Sequence, residues 1–351
     1  MTIPPGATEV RDRHRFDEAG VAAYLERELP GFRGPLAVRQ FDAGQSNPTF
    51  YLEAPSGEYV LRKKPPGALL PSAHAIDREF RVLAALGGSG VPVPRTRLYC
   101  DDAAVAGTPF YVMDYVPGRI FDDVMLPGSS PAERRAIYDA MNSVLAALHA
   151  FDWAAAGLAD FGWPGNYVQR QIARWSKQYA ATRTEHVPAM DELQCWLKAH
   201  VPKQELTSLV HGDLRLGNLI FHEREPRVIA VLDWELSTLG HPFADLAYGC
   251  MNYHLRSGDG IAAGFAGADI AALGIPDESE YVAAYARRSG HDVSADYPFF
   301  IAFSLFRVAA IQQGVYARSL AGNAASSTAA RFGESYRLVA KAGRDFVSGL
   351  R

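Results

Sequence analysis

The stretch from Leu209 to Phe221 constrains this chain more than any other. Two apolar runs, Leu209-Val210 and Leu219-Ile-Phe221, bracket the polar loop His211-Gly-Asp-Leu-Arg-Leu-Gly-Asn218, a pattern H-x-D-x-x-x-x-N with a glycine just before the asparagine. A further apolar run, Val228 to Leu232, ends in Asp233-Trp-Glu235, which puts Asp233 twenty residues after Asp213. Short apolar runs alternating with polar loops predict a loop bearing Asp213, then a short hairpin, then a second carboxylate at the hairpin's exit. A lone His-Gly-Asp triplet is usually a turn. The combined pattern, at fixed offsets between strand-like runs, asks for more than a turn.

Composition narrows the class. At 351 residues the chain has material for two lobes, each with its own core. Apolar content of 48% and charged content of 21% describe an ordinary globular protein. A net charge of −4 leaves no basic footprint for nucleic acid. Cys100, Cys195 and Cys250 are far apart and lack metal-ligand spacing, so they read as reduced, mostly buried thiols of a cytoplasmic protein. The first residues lack the basic-then-apolar order of a signal peptide. The longest apolar stretch, Tyr297 to Ile311, is broken by Ser304 and Arg307 and is too short for a bilayer, so no membrane partner is expected. Nothing in the pattern fixes an oligomeric state.

Along the chain, residues 1 to about 15 read as a polar arm, and Phe16 to Leu29 has helical spacing. Three strand-like runs follow: Leu36 to Phe41, Thr49 to Ala54 and Tyr59 to Arg62. On the third, alternation puts Val60 and Arg62 on one face and Leu61 on the other. Ser72 to Leu86 reads as a helix whose apolar stripe, Ile76, Leu83 and Leu86, also carries Glu79. A carboxylate there is costly unless paired. Arg97 to Cys100 and Pro109 to Tyr115 complete five strands. Beyond Gly118 the chain turns helical: Ser130-Pro-Ala-Glu133 is a capping signal. Further helices are expected near Tyr167 to Arg183, Asp191 to Ala199, Glu278 to Ser289, Tyr297 to Arg318 and Ser326 to Ser348.

Protein kinases write the same spacing as H-R-D-x-x-x-x-N and D-F-G. With His-Gly-Asp and Asp-Trp-Glu in those places, the chain resembles the aminoglycoside phosphotransferase and choline kinase branch of the kinase-like fold. The resemblance implies a bilobal α+β architecture. Residues 1–116 would form a nucleotide-binding lobe with a five-stranded antiparallel sheet plus helix, and 117–351 a mainly helical lobe carrying a short catalytic hairpin. It also implies ATP and Mg²⁺ as cofactors and a small-molecule hydroxyl as acceptor. Asp213 would then accept or orient the hydroxyl proton, and Asn218 and Asp233 would hold Mg²⁺ with hard oxygens. Glu235 would take a second Mg²⁺ or face the substrate. His211 would hydrogen-bond the loop backbone and Asp245 would brace it. Arg215 would touch the transferring phosphate or make a structural salt bridge.

The same resemblance assigns the nucleotide side. Asp42 to Pro48 is the tip that would cover phosphates, with Gly44, Ser46 and Asn47 in a G-x-S-N turn in place of a richer glycine loop; Pro48 has no N–H to give. Arg62 takes the place of the kinase lysine, with Lys63 and Lys64 as neighbours able to replace it, and Glu79 is its ion-pair partner. Met113 to Gly118 would be the hinge, where Met113 and Tyr115 meet adenine through backbone groups. Arg307 and Arg318 are three helical turns apart and face either an anionic substrate or solvent. The segments Leu61 to Gly67, His211 to Asn218 and Phe306 to Gly314 look like the phosphotransferase domain fused to some acyl-CoA dehydrogenases, which implies a hydroxyacyl-CoA acceptor. An aminoglycoside or choline-type acceptor is the alternative; the former would ask for an acidic cleft. A catalytically silent nucleotide binder is a further one, against which the joint retention of Asp213, Asn218, Asp233 and Glu79 argues.

Overall fold

The computed structural model describes residues 3–42, 47–65, 75–203, 205–256, 264–293, 295–321 and 331–350. They gather into two compact units. The first comprises Met1–Arg119, Trp153–Leu158 and Ile220–Ser237, and the second Ile120–Asp152, Ala159–Leu219 and Thr238–Arg351.

The first unit is built on an antiparallel sheet of β1 (Ala7–Thr8), β2 (Ala37–Phe41), β3 (Thr49–Ala54), β4 (Gly57–Lys63), β5 (Thr96–Cys100) and β6 (Phe110–Asp114), in the order β1-β2-β3-β4-β6-β5. Five of these strands match the expected ones. The sixth, β1, comes from the polar arm and pairs Ala7 with Phe41; two residues are too few to carry an alternation signal. Register assigns the faces. Leu61 sits between Phe50 and Val112, and Arg62 between Thr49 and Tyr111. Phe50, Leu52, Leu61 and Val112 therefore bury against Val21 and Leu25 of α1 (Glu18–Glu28). The opposite face meets α2 (Ile76–Leu86), whose Phe80 ring lies 5.5 Å from Tyr99 and 6.0 Å from Tyr111. A one-turn helix α3 (Ala103–Ala106) joins β5 to β6. Ser72 to His74, expected to open α2, lie outside the described residues.

In the second unit the helices are α4 (Pro131–His149), α5 (Tyr167–Thr182), α6 (Pro188–Ala199), α7 (Pro242–Cys250), α8 (Ile270–Leu273), α9 (Glu278–Ser289), α10 (Tyr297–Leu320) and α11 (Phe332–Gly349). Ser130 caps α4 by accepting from the Glu133 N–H at 3.2 Å, and Asp277 and Glu280 form a reciprocal capping box on α9. The helix α10 runs two residues past its expected end at Arg318. At 24 residues it meets the length and composition of a membrane span, yet 78% of its most apolar window is buried inside the protein, among α5, α6, α7 and α11. It is a core helix. Of four further short strands, β7 (Ser208–Val210), β8 (Leu219–Phe221), β9 (Val228–Val231) and β10 (Thr238–Gly240), β7 pairs with β10 and β8 with β9. In the first unit Arg119 and Phe221 exchange both backbone hydrogen bonds at 2.8 Å, and the Val231 N–H donates to the Pro92 carbonyl at 2.9 Å.

Candidate active site

In the first unit, four charged side chains converge. Arg62, carried on β4 away from α1, places its Nε 3.0 Å from Glu79 Oε2, its Nη2 2.6 Å from Asp233 Oδ1 and the same nitrogen 3.6 Å from Glu235 Oε2. Arg62 and Glu79 are buried, whereas the Asp233 and Glu235 side chains are 34% and 24% exposed. Burial pushes the Glu79 pKa up to about 7, partly opposed by Arg62 and reinforced by Asp233 and Glu235. Burial acts against the Arg62 charge too, but Glu79, Tyr111 and Asp233 outweigh it and keep the guanidinium ionised.

Local backbone aims the carboxylates. Asp233 sits in the left-handed region (φ 65°, ψ 59°), a conformation that non-glycine residues adopt at a cost. Trp234 pins that turn: it is 1% exposed and its Nε1 donates to the Val231 carbonyl at 2.9 Å. Asn47 Nδ2 donates to Glu235 Oε2 at 3.4 Å. Gly44 and Ser46 lie outside the described residues. Lys63 is no substitute for Arg62, because alternation turns it to the other face, where it donates to the Ala106 carbonyl and lies 5.0 Å over the Phe16 ring. Met113 is buried in β6, paired with Val60 and Thr96. The Tyr115 N–H donates to the Glu58 carbonyl at 3.2 Å, and its ring centroid is 5.1 Å from Tyr51.

Asp233 and Glu235 offer hard oxygens of the kind Mg²⁺ prefers, and the three carboxylates around one guanidinium leave two negative charges in excess when all are ionised. That is the charge a divalent cation would balance. Among the described residues no three His, Cys, Asp or Glu side chains cluster to hold a metal unaided. Mg²⁺ seldom needs such a cage, since substrate phosphates and waters complete its shell.

In the second unit, the loop between β7 and β8 is held from within and from below. Gly212 turns it at φ 85°, where a side chain would be strained. His211 is fully buried and its Nδ1 accepts from the Asp213 N–H at 3.2 Å. Asp245 of α7 accepts from the N–H groups of His211 at 2.6 Å and Gly212 at 2.9 Å, and its Oδ2 lies 3.6 Å from His149 Nε2. Burial works to raise the Asp245 pKa, but the neighbouring His149 and His211 imidazoles and the His211 backbone N–H outweigh it, and the carboxyl sits below its ordinary value.

Asp213 is gripped on both oxygens. Its Oδ1 accepts from the Tyr248 hydroxyl at 2.5 Å and its Oδ2 from Asn218 Nδ2 at 3.0 Å, with Arg215 Nε 3.5 Å from the latter. Asn218 Nδ2 also donates to the Asp213 carbonyl at 2.8 Å, so its amide nitrogen belongs to the loop and its oxygen is the atom available to a cation. Arg215 is half-exposed. Arg307, expected toward substrate or solvent, is buried. It donates to the Gly212 carbonyl at 2.5 Å, and its guanidinium lies 5.3 Å over the Tyr248 ring and 5.5 Å over that of Trp175. Arg318 is exposed. Tyr248 was not among the expected site residues. Its one signal in the sequence is its position one helical turn past Asp245, on the face that meets the loop.

A model of the phosphotransferase enzyme family matches residues 37–288. Acyl-CoA dehydrogenase family member 10 of Mus musculus is 50% identical over 345 residues, covering 98% of this chain and 32% of that protein, so the chain spans about a third of that relative's length. A solved structure from Ralstonia eutropha, described as a candidate aminoglycoside phosphotransferase, is 50% identical with a TM-score of 0.88, covering 95% of this chain and 99% of that one. The GDP complex of an aminoglycoside 2'-phosphotransferase-IIIa is 14% identical with a TM-score of 0.62 over 94% of this chain and 99% of that one, a likeness of fold.

Proposed function

The chain belongs to the phosphotransferase enzyme family and is a small-molecule kinase by family and fold, and from this we propose that it moves the γ-phosphate of ATP, with Mg²⁺, to a hydroxyl of a hydroxyacyl-CoA. The observation that carries the reading is the Asp213 carboxylate, fixed on one oxygen by Tyr248 and on the other by Asn218. A carboxylate so held takes the proton of an acceptor hydroxyl as the new O–P bond forms and the bond to ADP breaks. His211, Asp245 and Arg307 keep its backbone in place without touching the reacting atoms. Arg215, half-exposed beside Asp213, offsets charge on the transferring group.

On the nucleotide side Arg62 is the phosphate-facing cation, held by Glu79. Mg²⁺, when bound, would take the Asp233 carboxylate and the Asn218 amide oxygen and neutralise charge on the phosphates. The contacts of Glu235 with Asn47 and Arg62 favour a role toward that cation over one toward the acceptor. Gly44, Ser46 and Asn47 are proposed to cover the phosphates, with Met113 and Tyr115 at the adenine. Nucleotide use is supported by the GDP-bound neighbour, and the acceptor by the identity with the acyl-CoA dehydrogenase relative.

The test is phosphate transfer from ATP by the purified protein to 3- and 4-hydroxyacyl-CoAs, kanamycin and choline, with and without Mg²⁺. Transfer to the thioesters is expected, lost on chelation and reduced by ~10²–10⁴-fold in Asp213→Asn. Transfer to kanamycin or choline alone would refute the acceptor, and undiminished turnover in Asp213→Asn would refute the base.

A further inference from the structure

The second unit contains a cavity of about 210 Å³ against the loop that bears Asp213. Leu216 of the loop, Met141 of α4, Tyr248 of α7 and Val308 of α10 are in its wall. Tyr248 links it to the chemistry, since the ring lines the cavity while the hydroxyl donates to Asp213 Oδ1. Among the described residues its charged lining is one carboxylate, Asp122, and one guanidinium, Arg215. Of three other lining tyrosines, Tyr138 and Tyr253 spend their hydroxyls on backbone carbonyls, Val124 at 2.6 Å and Pro276 at 2.7 Å, while the Tyr281 hydroxyl is buried and hydrogen-bonds to none of the described residues.

Beside these polar groups and Asn252, the wall offers carbon from Val124, Met141, Leu216, Leu255, Phe265 and Val308. A polycationic sugar would need several carboxylates, and the lining offers one, balanced by an arginine. We propose that the cavity receives the unbranched alkyl tail beyond the acceptor's hydroxyl and that its depth limits the length of that tail. This rests on the phosphotransferase reading for the reaction, though the binding it describes can be measured without turnover. A cavity of ~150 Å³ takes a six-carbon ring, so this one takes roughly eight non-hydrogen atoms. Gln312, one helical turn beyond Val308 on α10, also lines it. Its Oε1 is buried and hydrogen-bonds to none of the described residues. An alkyl tail would leave that amide oxygen unpaired, and its removal would then favour binding.

The experiment is calorimetric titration with straight-chain hydroxyacyl-CoAs of increasing length, without ATP. Affinity should rise about 4-fold per added methylene until the tail holds roughly eight carbons, then level off. Val308→Phe should bring the plateau to shorter tails, and Gln312→Leu should tighten binding. Affinity independent of length, a rise that never levels, or loss of binding in Gln312→Leu would each overturn the proposal; the length series on the unaltered protein decides it even if a variant fails to fold. Phosphate transfer is scored separately. Length-dependent binding with no transfer would refute the kinase reading and leave the cavity assignment standing, whereas transfer with length-independent binding would refute the cavity assignment alone.

Discussion

Removing Arg62 would leave Glu79, the deepest of its three carboxylates, buried without its ion-pair partner. Arg62→Met should therefore cost about 3–5 kcal/mol in urea unfolding, and adding Glu79→Leu should recover most of that without recovering nucleotide affinity. A stability that did not recover would mean the pair does more than cancel its own charges. Asp245 gives a pH-dependent counterpart. Its pKa in the folded chain is depressed, so its stabilisation is complete above the ordinary carboxylate value of ~3.9 and is lost as pH falls through the folded value. The stability gap between the unaltered chain and Asp245→Asn should be about 1.5–3 kcal/mol at pH 7 and should narrow below about pH 4. At this scale the sequence carried what chain separation alone determines: Asp213 and Asn218 share one tight loop, so their meeting follows from their spacing. The pairing of Glu79 with Arg62 was legible from a carboxylate on an apolar stripe. Tyr248 and Arg307 were not legible in the same way. An aromatic in a buried helix and an arginine on a core helix reveal their neighbours only once α7 and α10 pack beneath the loop.

At the level of elements, the clearest test lies where α11 crosses α6 and α10. A Cβ built on Gly343 would lie 2.8 Å from Leu193 Cδ1 and 3.2 Å from Leu305 Cβ. Gly343→Leu should thus overpack that junction and lower stability by about 1–3 kcal/mol, read by thermal melting, with the far-ultraviolet dichroism of the folded state unchanged. Element existence was largely readable because caps and periodicity are local. The span of α9 follows from Asp277 and Gly290 at its ends. The span of α10 was legible to within two residues, even though Gln312 and Gln313 interrupt its apolar run after Ile311. Both are buried, and Gln313 Oε1 accepts from Thr182 Oγ1 at 2.8 Å, so the core takes up Gln313 with its oxygen paired. The short β1 was hidden, being too brief to show any pattern.

For the molecule as a whole, a ligand that binds only the folded state stabilises it by mass action. Mg²⁺ with a non-hydrolysable ATP analogue at about 100 times its Kd should add ~2.7 kcal/mol, raising the melting midpoint, and Arg62→Met should lose that increment; a midpoint that does not respond to nucleotide would count against the nucleotide assignment. A different consequence follows from the way the first unit is assembled from separate stretches of chain, with Ile220–Ser237 completing what Met1–Arg119 begins. A ribosome must add more than a hundred residues after Arg119 before Asp233 and Glu235 exist, which at ~5–20 residues per second takes on the order of ten seconds. Throughout that interval the nascent sheet has Glu79 as the sole acidic companion of Arg62 within the later cluster, and Arg119 has no Phe221 to pair with. A fragment cut at Arg119 would be frozen at that stage, and chaperones, which engage surface left uncovered during synthesis, would meet this unit first.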